Sequence, residues 1–354
     1  MFSPLTLLLL PFSWLYAGVM AVRNWLYDHG WQAAPPVSLP LINVGNLRVG
    51  GTGKTPHVAW LVRELLGRGQ RPAILSRGYG RATRGLRLAG PADTAATVGD
   101  EPWQHYREFN GQVPVAVAED RRAGLRALLQ LPEPPDVVVL DDAYQHRRVH
   151  ATLNVLLTEQ HRPFYHDYVL PAGRLRESRA GAARADAVVV TKCDADLSAA
   201  AQQDIARRVR RYARPGVPVL FSCYAYGSPV PLPGTAAVGT ALALDVLVLT
   251  GIAQPGPLLA YLAGAGYRVH HHAAFPDHHA FTPAEVRAVA ARLAPGHGVL
   301  TTQKDAARLL APALHTEVAA LPVFYLPITV EFLADGADRL RQLLPLASQP
   351  YVVV

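Results

Sequence analysis

Gly50-Gly51-Thr52-Gly53-Lys54-Thr55 has the residue types and spacing of a turn that holds phosphate oxygens. Clustered glycines let backbone N–H groups converge on an anion, a lysine sets a charge beside β- and γ-phosphates, and a threonine hydroxyl can bind Mg²⁺. The turn lies between an apolar run, Leu39–Val44, and a stretch that reads as a helix from Pro56, whose positive dipole end would back the phosphates. Arg48 and Val49 lead into the loop. Arg48 stands where the G-x-x-x-x-G-K-[ST] spacing puts its first glycine, and Gly50, Gly51 and Gly53 supply the backbone freedom instead. The expected nucleotide-binding set is therefore Arg48, Val49, Gly50, Gly51, Thr52, Gly53, Lys54 and Thr55.

The second half of such a site is an acid at the end of a buried strand. Asp136-Val-Val-Val-Leu140-Asp141-Asp142 supplies it, far enough after Lys54 for intervening βα units. Asp141 and Glu101 are candidate Mg²⁺ ligands beside Thr55, since Mg²⁺ takes a few carboxylates plus phosphates and water. A solvated aspartate pair capping the next element is the plainer alternative. Arg77, in the glycine-opened loop Ser76–Arg81, and Arg121 and Arg176 are candidate clamps on phosphoryl groups. Thr191-Lys192-Cys193-Asp194 ends a strand and is similar to the NTPase motif that reads guanine, with Thr in place of Asn; it is expected to wall the base side of the pocket. His270–His272 and Asp277-His278-His279 form a histidine-rich region without a cysteine partner, so a surface cluster explains it better than a zinc site.

Elements must position these groups. Between about residues 38 and 225, apolar β-branched runs alternate with Ala/Leu/Arg-rich helical stretches, which implies a parallel sheet covered on both faces. A Pro/Gly-rich join at Tyr226–Thr240 precedes a second βα series. The expected fold class is α/β: a P-loop NTPase-like, mainly parallel sheet with a second, smaller α/β domain and an N-terminal membrane-associated helix. The boundaries fall at 1–30, 31–225 and 226–354, with the reaction between the two larger units.

The first 22 residues carry no charge and are followed by Arg23, Trp25 and Tyr27. A cleavable signal has its basic residues before the apolar core, whereas here the arginine follows it. Membrane contact through this helix, spanning or lying in the interface, is expected. The whole chain of 354 residues has a net charge of +7, which suits polyanionic partners. No nucleic-acid-binding signature accompanies the charge, and two cysteines without CxxC spacing leave no disulfide framework.

Taken together, these motifs resemble the tetraacyldisaccharide 4'-kinases (lipid A 4'-kinases). The resemblance runs through Gly45–Pro56, Ser76–Arg81, Val98–Pro102, Asp141–His146, Leu170–Glu177, Thr250–Ala253, Phe275–His279 and Thr302–Asp305. Arg48, Ala143 and Gln303 depart from the usual pattern. The resemblance implies an ATP- and Mg²⁺-dependent transfer of a γ-phosphoryl group to the 4'-hydroxyl of a tetraacylated disaccharide 1-phosphate, at the cytoplasmic face of the bacterial inner membrane. It implies a glycolipid substrate and a membrane surface as partners, with no nucleic acid and no obligate protein partner. Lys54 and Asp142 are implied as catalytic, and Asp100 with His278 as the dyad that accepts the hydroxyl proton, with His279 the alternative within the pair. Gln145, His146, Arg176, Glu177, His279 and Arg77 are implied around the substrate.

Two readings compete. A GTP-dependent switch or metal-delivery protein would share the glycine-rich loop, Thr191–Asp194 and the histidines, but position 49 is Val and clustered cysteines are absent. A non-catalytic nucleotide-binding scaffold would need neither Asp100 nor Asp277–His279.

Overall fold

The computed structural model describes residues 4–31, 39–237 and 239–345; residues 1–3 of the expected N-terminal helix and 346–354 of the expected C-terminal unit lie outside them. After helix α1 (Pro4–Asp28), the chain alternates strands and helices: β1 (Leu41–Asn46), α2 (Lys54–Gly67), β2 (Pro72–Ser76), β3 (Arg87–Leu88), α3 (Ala95–Val98), α4 (Asp100–Glu108), β4 (Val115–Val117), α5 (Arg121–Leu129), β5 (Val137–Asp141), β6 (Leu153–Glu159), β7 (Ala187–Thr191), α6 (Ala199–Arg210) and β8 (Val219–Tyr226). The second half contains β9 (Val230–Pro231), β10 (Asp245–Thr250), α7 (Gly256–Gly264), β11 (Arg268–Ala274), α8 (Pro283–Ala290), β12 (Gly298–Thr302), α9 (Gln303–Leu309), α10 (His315–Ala319), β13 (Val323–Leu326), β14 (Ile328–Phe332) and α11 (Gly336–Leu343).

These strands form two sheets. The larger runs β14-β8-β7-β6-β1-β5-β2-β4-β3 and the smaller β11-β10-β12-β13-β9. Continuous apolar runs explain the burial: every residue of β1, β2, β5 and β7 is buried. Alternate side chains serve opposite faces. Ile42, Val44, Val137 and Val139 pack with Val58, Leu61 and Leu65 of α2, while Leu41, Val138 and Leu140 pack with Leu125 and Leu128 of α5.

The order of strands sets up the site. β5 lies between β1 and β2, pairing in parallel with both. Val44 of β1 is the register partner of Asp141, so the strand-end acids emerge beside the loop that follows β1. β1 is flanked by β5 and β6, which leave it in opposite directions along the sheet, the kind of reversal that opens a ligand crevice at carboxyl strand ends.

Two features differ from a simple division of the chain at residue 226. β14, which falls within 226–354, pairs antiparallel with β8 and belongs to the nine-stranded sheet. It covers the β8 edge, and α11 then packs against the same sheet, with Leu340 and Leu344 in its core. The helix after the glycine-rich loop starts at Lys54, two residues earlier than Pro56 alone indicates, because Gly53 takes a left-handed conformation (φ 89°) that turns the chain directly into the helix.

β1 approaches the segment after β5 so closely at Gly45 that an added Cβ would lie 2.6 Å from the Tyr144 Cβ. Tyr144 is buried and its hydroxyl donates to the Gly181 carbonyl at 2.9 Å, so it has little room to withdraw. Gly45→Ala is expected to cost about 1–3 kcal/mol of stability, the usual cost of overpacking, seen as a lower urea midpoint at unchanged m-value.

Candidate active site

The glycine-rich loop is braced from below. Asn46 donates to the Thr52 hydroxyl at 2.7 Å, and the Thr191 hydroxyl donates to the Thr52 carbonyl at 2.9 Å. His57 bonds the Gly53 carbonyl and the Ser222 hydroxyl, and burial pushes its pKa down to about 4, so it is a neutral strut. Lys192 donates to the Gly51 carbonyl and pairs with Glu159. The Thr191–Asp194 segment thus lies against the loop, with Asp194 held by Gln160.

Arg48 faces elsewhere. Its guanidinium bonds Asp167 at 2.6 Å and lies 3.5 Å from Glu159, a second anchor between β1 and the segment after β6. Its side chain is therefore committed within the protein, while the backbone still leads into the loop.

At the mouth of β5, Lys54 Nζ lies 3.6 Å from Asp142. Arg176 grips the same carboxylate with both terminal nitrogens, at 2.9 and 3.0 Å, and reaches Gln145 and Asn46 as well. Burial would raise the Asp142 carboxyl, but Lys54 and Arg176 hold it below the usual range. Its neighbour is the opposite case. Asp141 is buried, its Oδ1 has no partner, and burial pushes its pKa up to about 7 despite Lys54. A buried carboxylate with an unused oxygen, beside a phosphate loop, fits a hard divalent cation.

His105 is a contributor that sequence reasoning missed. It is fully buried with neither ring nitrogen bonded, Nε2 is 3.9 Å from Asp141, and burial drives its pKa down to about 3. The only available signal is its position four residues after Glu101, on the same face of α4.

Asp100 opens α4, and its Oδ2 accepts from His278 Nδ1 at 3.0 Å. The same oxygen accepts from Arg308 at 2.6 and 3.0 Å. Although burial raises the Asp100 carboxyl, these bonds and the charges of Arg308 and Lys304 bring it down to about 2. Lys304 Nζ lies 3.0 Å from His278 Nε2. A carboxylate only accepts and an ammonium only donates, so the imidazole carries its proton on Nδ1 and offers a lone pair at Nε2. Arg308 and Lys304 both lie in α9, whose contribution the Thr302–Asp305 motif signals only through Lys304.

The adjacent histidine is used differently. His279 Nε2 bonds Glu285 at 3.0 Å and its ring stacks on Phe275. It fastens the start of α8, where Thr282 and Glu285 form a capping box. His278 itself has φ 61°, held by the Asp277 carboxylate that accepts its backbone N–H at 3.0 Å. Asp142 and Lys192 also have left-handed backbones. Such conformations in non-glycine residues are costly and gather where surrounding contacts enforce them.

The remaining expected residues divide. Glu177 is buried and paired with Arg184 at 2.7 Å, and Gln145 donates to Glu177 and to the Asn46 carbonyl, so both act as struts behind Arg176. Arg121 is buried and donates to the Ala118 carbonyl at 2.8 Å, while Arg77 is exposed at the tip of β2. Glu101 lies 3.8 Å from Lys304. His146 lies beside α1, in a cleft with Arg23.

Asp141 makes stability depend on pH. The carboxyl ionises from about 3.8 in the unfolded chain but from about 7 in the folded one, so rising pH across that window favours unfolding. In metal-free buffer, Asp141→Asn should therefore match the wild type near the lower limit and become progressively more stable up to the higher one. The gain should reach about 1 kcal/mol or more and then stay level. Urea titrations across pH measure it, and a gain independent of pH would contradict the assignment.

Comparison with known proteins places the chain in a family. A family model described as LpxK, tetraacyldisaccharide-1-P 4'-kinase, matches residues 5–346. A tetraacyldisaccharide 4'-kinase of Cytophaga hutchinsonii is 40% identical over 339 residues, covering 95% of this chain and 94% of the relative. One from Bacteroides thetaiotaomicron is 40% identical over 354 residues, covering 94% and 91%. A crystal structure of the "apo" form of LpxK from Aquifex aeolicus in complex with ATP superposes with a TM-score of 0.72 at 29% identity, over 96% of this chain and 98% of that one. With the phosphate loop, the paired strand-end acids and the match along nearly its whole length, this chain belongs to the tetraacyldisaccharide 4'-kinase family.

Proposed function

We propose how this chain works as the ATP-dependent tetraacyldisaccharide 4'-kinase that its family and relatives indicate. The observation that carries the proposal is the Asp100–His278 pair, formed between α4 of one sheet layer and the loop after β11 of the other. ATP phosphates lie in the Gly50–Thr55 loop with Lys54 beside them. Thr55, Asp141 and Glu101 would hold Mg²⁺, which when bound would neutralise phosphate charge. Asp142, fixed by Arg176, keeps Lys54 oriented until nucleotide arrives.

A sugar hydroxyl is a weak nucleophile, so its proton must leave as the bond to phosphorus forms. His278 Nε2 accepts it, and Asp100 steadies the imidazolium through Nδ1–H. Lys304 donates to Nε2 and must give it up for the hydroxyl to reach it. Asp277, 3.5 Å away, and Glu101, 3.8 Å away, offer it alternative partners. Arg308 keeps Asp100 ionised and ties it to Asp305 and the Gly251 carbonyl at the tip of β10.

The acceptor is a glycolipid, and α1 brings the enzyme to it. Leu7–Asp28 is long and apolar enough to cross a membrane. One face docks on the protein: Ser13 donates to the Val169 carbonyl, Tyr16 to the Arg176 carbonyl, and Asn24 to Glu177. Leu8, Phe12, Trp14, Leu15 and Val19 remain exposed. Docking along so much of its length favours a helix lying in the bilayer interface over one that leaves the protein to span it. The enzyme works at the cytoplasmic face of the inner membrane, the side that supplies ATP.

Transfer of labelled γ-phosphate from ATP to tetraacyldisaccharide 1-phosphate tests the chemistry. Asp100→Ala and His278→Ala should each lower kcat by about 10²–10⁴, with the double variant little worse than the poorer single, as expected for residues acting as a unit. His279→Ala should keep turnover and lose stability. Two silent variants at 100 and 278 would refute the dyad. For the membrane contact, Leu8→Glu with Leu15→Glu, at positions 69% and 70% exposed, should leave the fold intact. Co-sedimentation with lipid vesicles should fall at least about tenfold, given the burial energy of two leucines.

A further inference from the structure

The three consecutive histidines of β11 go to three different partners. His271 Nε2 lies 2.8 Å from Arg292, and His272 Nε2 lies 2.8 Å from the Thr250 hydroxyl. His270 turns instead toward Asp245 at the start of β10, with Nε2 2.5 Å from Oδ1. A third group joins them from a separate segment: the His297 ring lies 4.7 Å from the His270 ring, centroid to centroid. The ligand atoms of Asp245, His270 and His297 all fall within 4.8 Å of one another.

The smaller sheet builds this cluster. β10 lies between β11 and β12. Val246 is the register partner of Gly298, so the residues before them, Asp245 and His297, come side by side at the amino ends of the strands. On the other flank the β10–β11 register shifts: Val246 pairs with Val269, but Leu247 pairs with His271. His270 is thus the extra residue of a bulge, a device that re-aims a side chain. His297 is set in a turn, its N–H donating to the Ala294 carbonyl at 3.1 Å after Gly296 at φ 80°. Apart from the contact with His270, its side chain has no hydrogen-bond partner among the described residues.

Two imidazoles and a carboxylate are a donor set for Zn²⁺ and the related imidazole-binding dications, whereas Mg²⁺ demands oxygen ligands. Tetrahedral ligands about 2.1 Å from zinc stand roughly 3.4 Å apart, so small side-chain rotations suffice here. Arg268 is the competitor, since it grips both oxygens of Asp245. Its side chain is exposed, and surface ion pairs of that kind contribute little. With Oδ1 turned to an ion, Arg268 would keep Oδ2, the outer hydrogen bond that ligating carboxylates commonly have. The cluster is remote from the strand tips that face Asp100. At about 3.3 Å per residue, β10 puts roughly 17 Å between Asp245 and Thr250, which leads into Gly251 and its bond from Arg308.

We propose that Asp245, His270 and His297 form a binding site for one dication of the Zn²⁺ class, with water completing its shell. The ion clips the edge strand β11 to β10 and to the turn before β12. Neither nucleotide nor acceptor takes part.

The full-length protein, stripped with chelator and returned to buffer containing Mg²⁺, is titrated with Zn²⁺ against a chromophoric chelator. Its thermal midpoint is followed with and without Zn²⁺. The wild type should take up Zn²⁺ at a site that Mg²⁺ does not fill and gain thermal stability, because an ion that binds only the folded chain stabilises it. His270→Gln and His297→Gln should each weaken that uptake at least about tenfold, the lower end of what losing even an outer-shell partner does, and remove the thermal shift. His270 is exposed and His297 half-buried, so both variants should match the wild-type urea midpoint in excess chelator. His271→Gln, on the same strand but beside Arg292, should bind like the wild type. In the wild type alone, Co²⁺ should selectively broaden the ring NMR signals of His270 and His297 and spare those of His278 and His279, which decides the site whether or not a variant folds. No uptake by the wild type, unchanged uptake in either variant, an equal loss in His271→Gln, or broadening centred on His278 overturns the site.

Discussion

One carboxylate oxygen, Asp100 Oδ2, joins the two layers of this molecule at the place where chemistry is expected. It accepts from His278 and twice from Arg308, groups that belong to the second sheet's loops and to α9, while Asp100 itself opens α4 beside the first sheet. Burial works against the ionised form, and the paired donors outweigh it. Breaking such a cluster by removing one partner would strand buried charge, so the contact constrains how the layers meet. The imidazole tautomer, and with it the direction in which the histidine can take a proton, follows from the same oxygen.

A second balance of charge lies a short distance away, at the end of β5. Asp141 and Asp142 are consecutive yet behave oppositely. Asp142 turns through a left-handed backbone into the reach of Lys54 and Arg176 and stays ionised. Asp141 points into the protein toward neutral His105 and has an unsatisfied oxygen. In the absence of a cation this arrangement costs stability, and a bound divalent ion would remove that cost. Under the proposed function, the cation and the nucleotide would settle this balance together, since anything that binds only the folded state stabilises it.

Helix α1 combines two roles that normally conflict. Its polar and small residues, Ser13, Tyr16, Arg23 and Asn24, recur on one face and bond the segments that carry Arg176, Glu177 and Gln145. The opposite face stays apolar and exposed. In the reading proposed above, the same helix that meets the lipid surface would also brace Arg176, through Tyr16, which donates to the Arg176 carbonyl.

Much of this was legible in the residues themselves. The glycine-rich turn, the aspartates closing an apolar strand and the alternation of strands with helices are local patterns, because backbone freedom and hydrophobic period are written in contiguous residues. The strands Ala187–Thr191 and Val323–Leu326 can be read directly for that reason. Tertiary structure alone decided which of His278 and His279 meets Asp100, since one left-handed residue sends neighbouring side chains to different partners. It alone turned Arg48 toward Asp167, buried Asp141 beside His105, and returned β14 to the first sheet. Those outcomes depend on partners far away in the chain, up to the 178 positions between Asp100 and His278, and no local period encodes the electrostatic and packing balance that selects them.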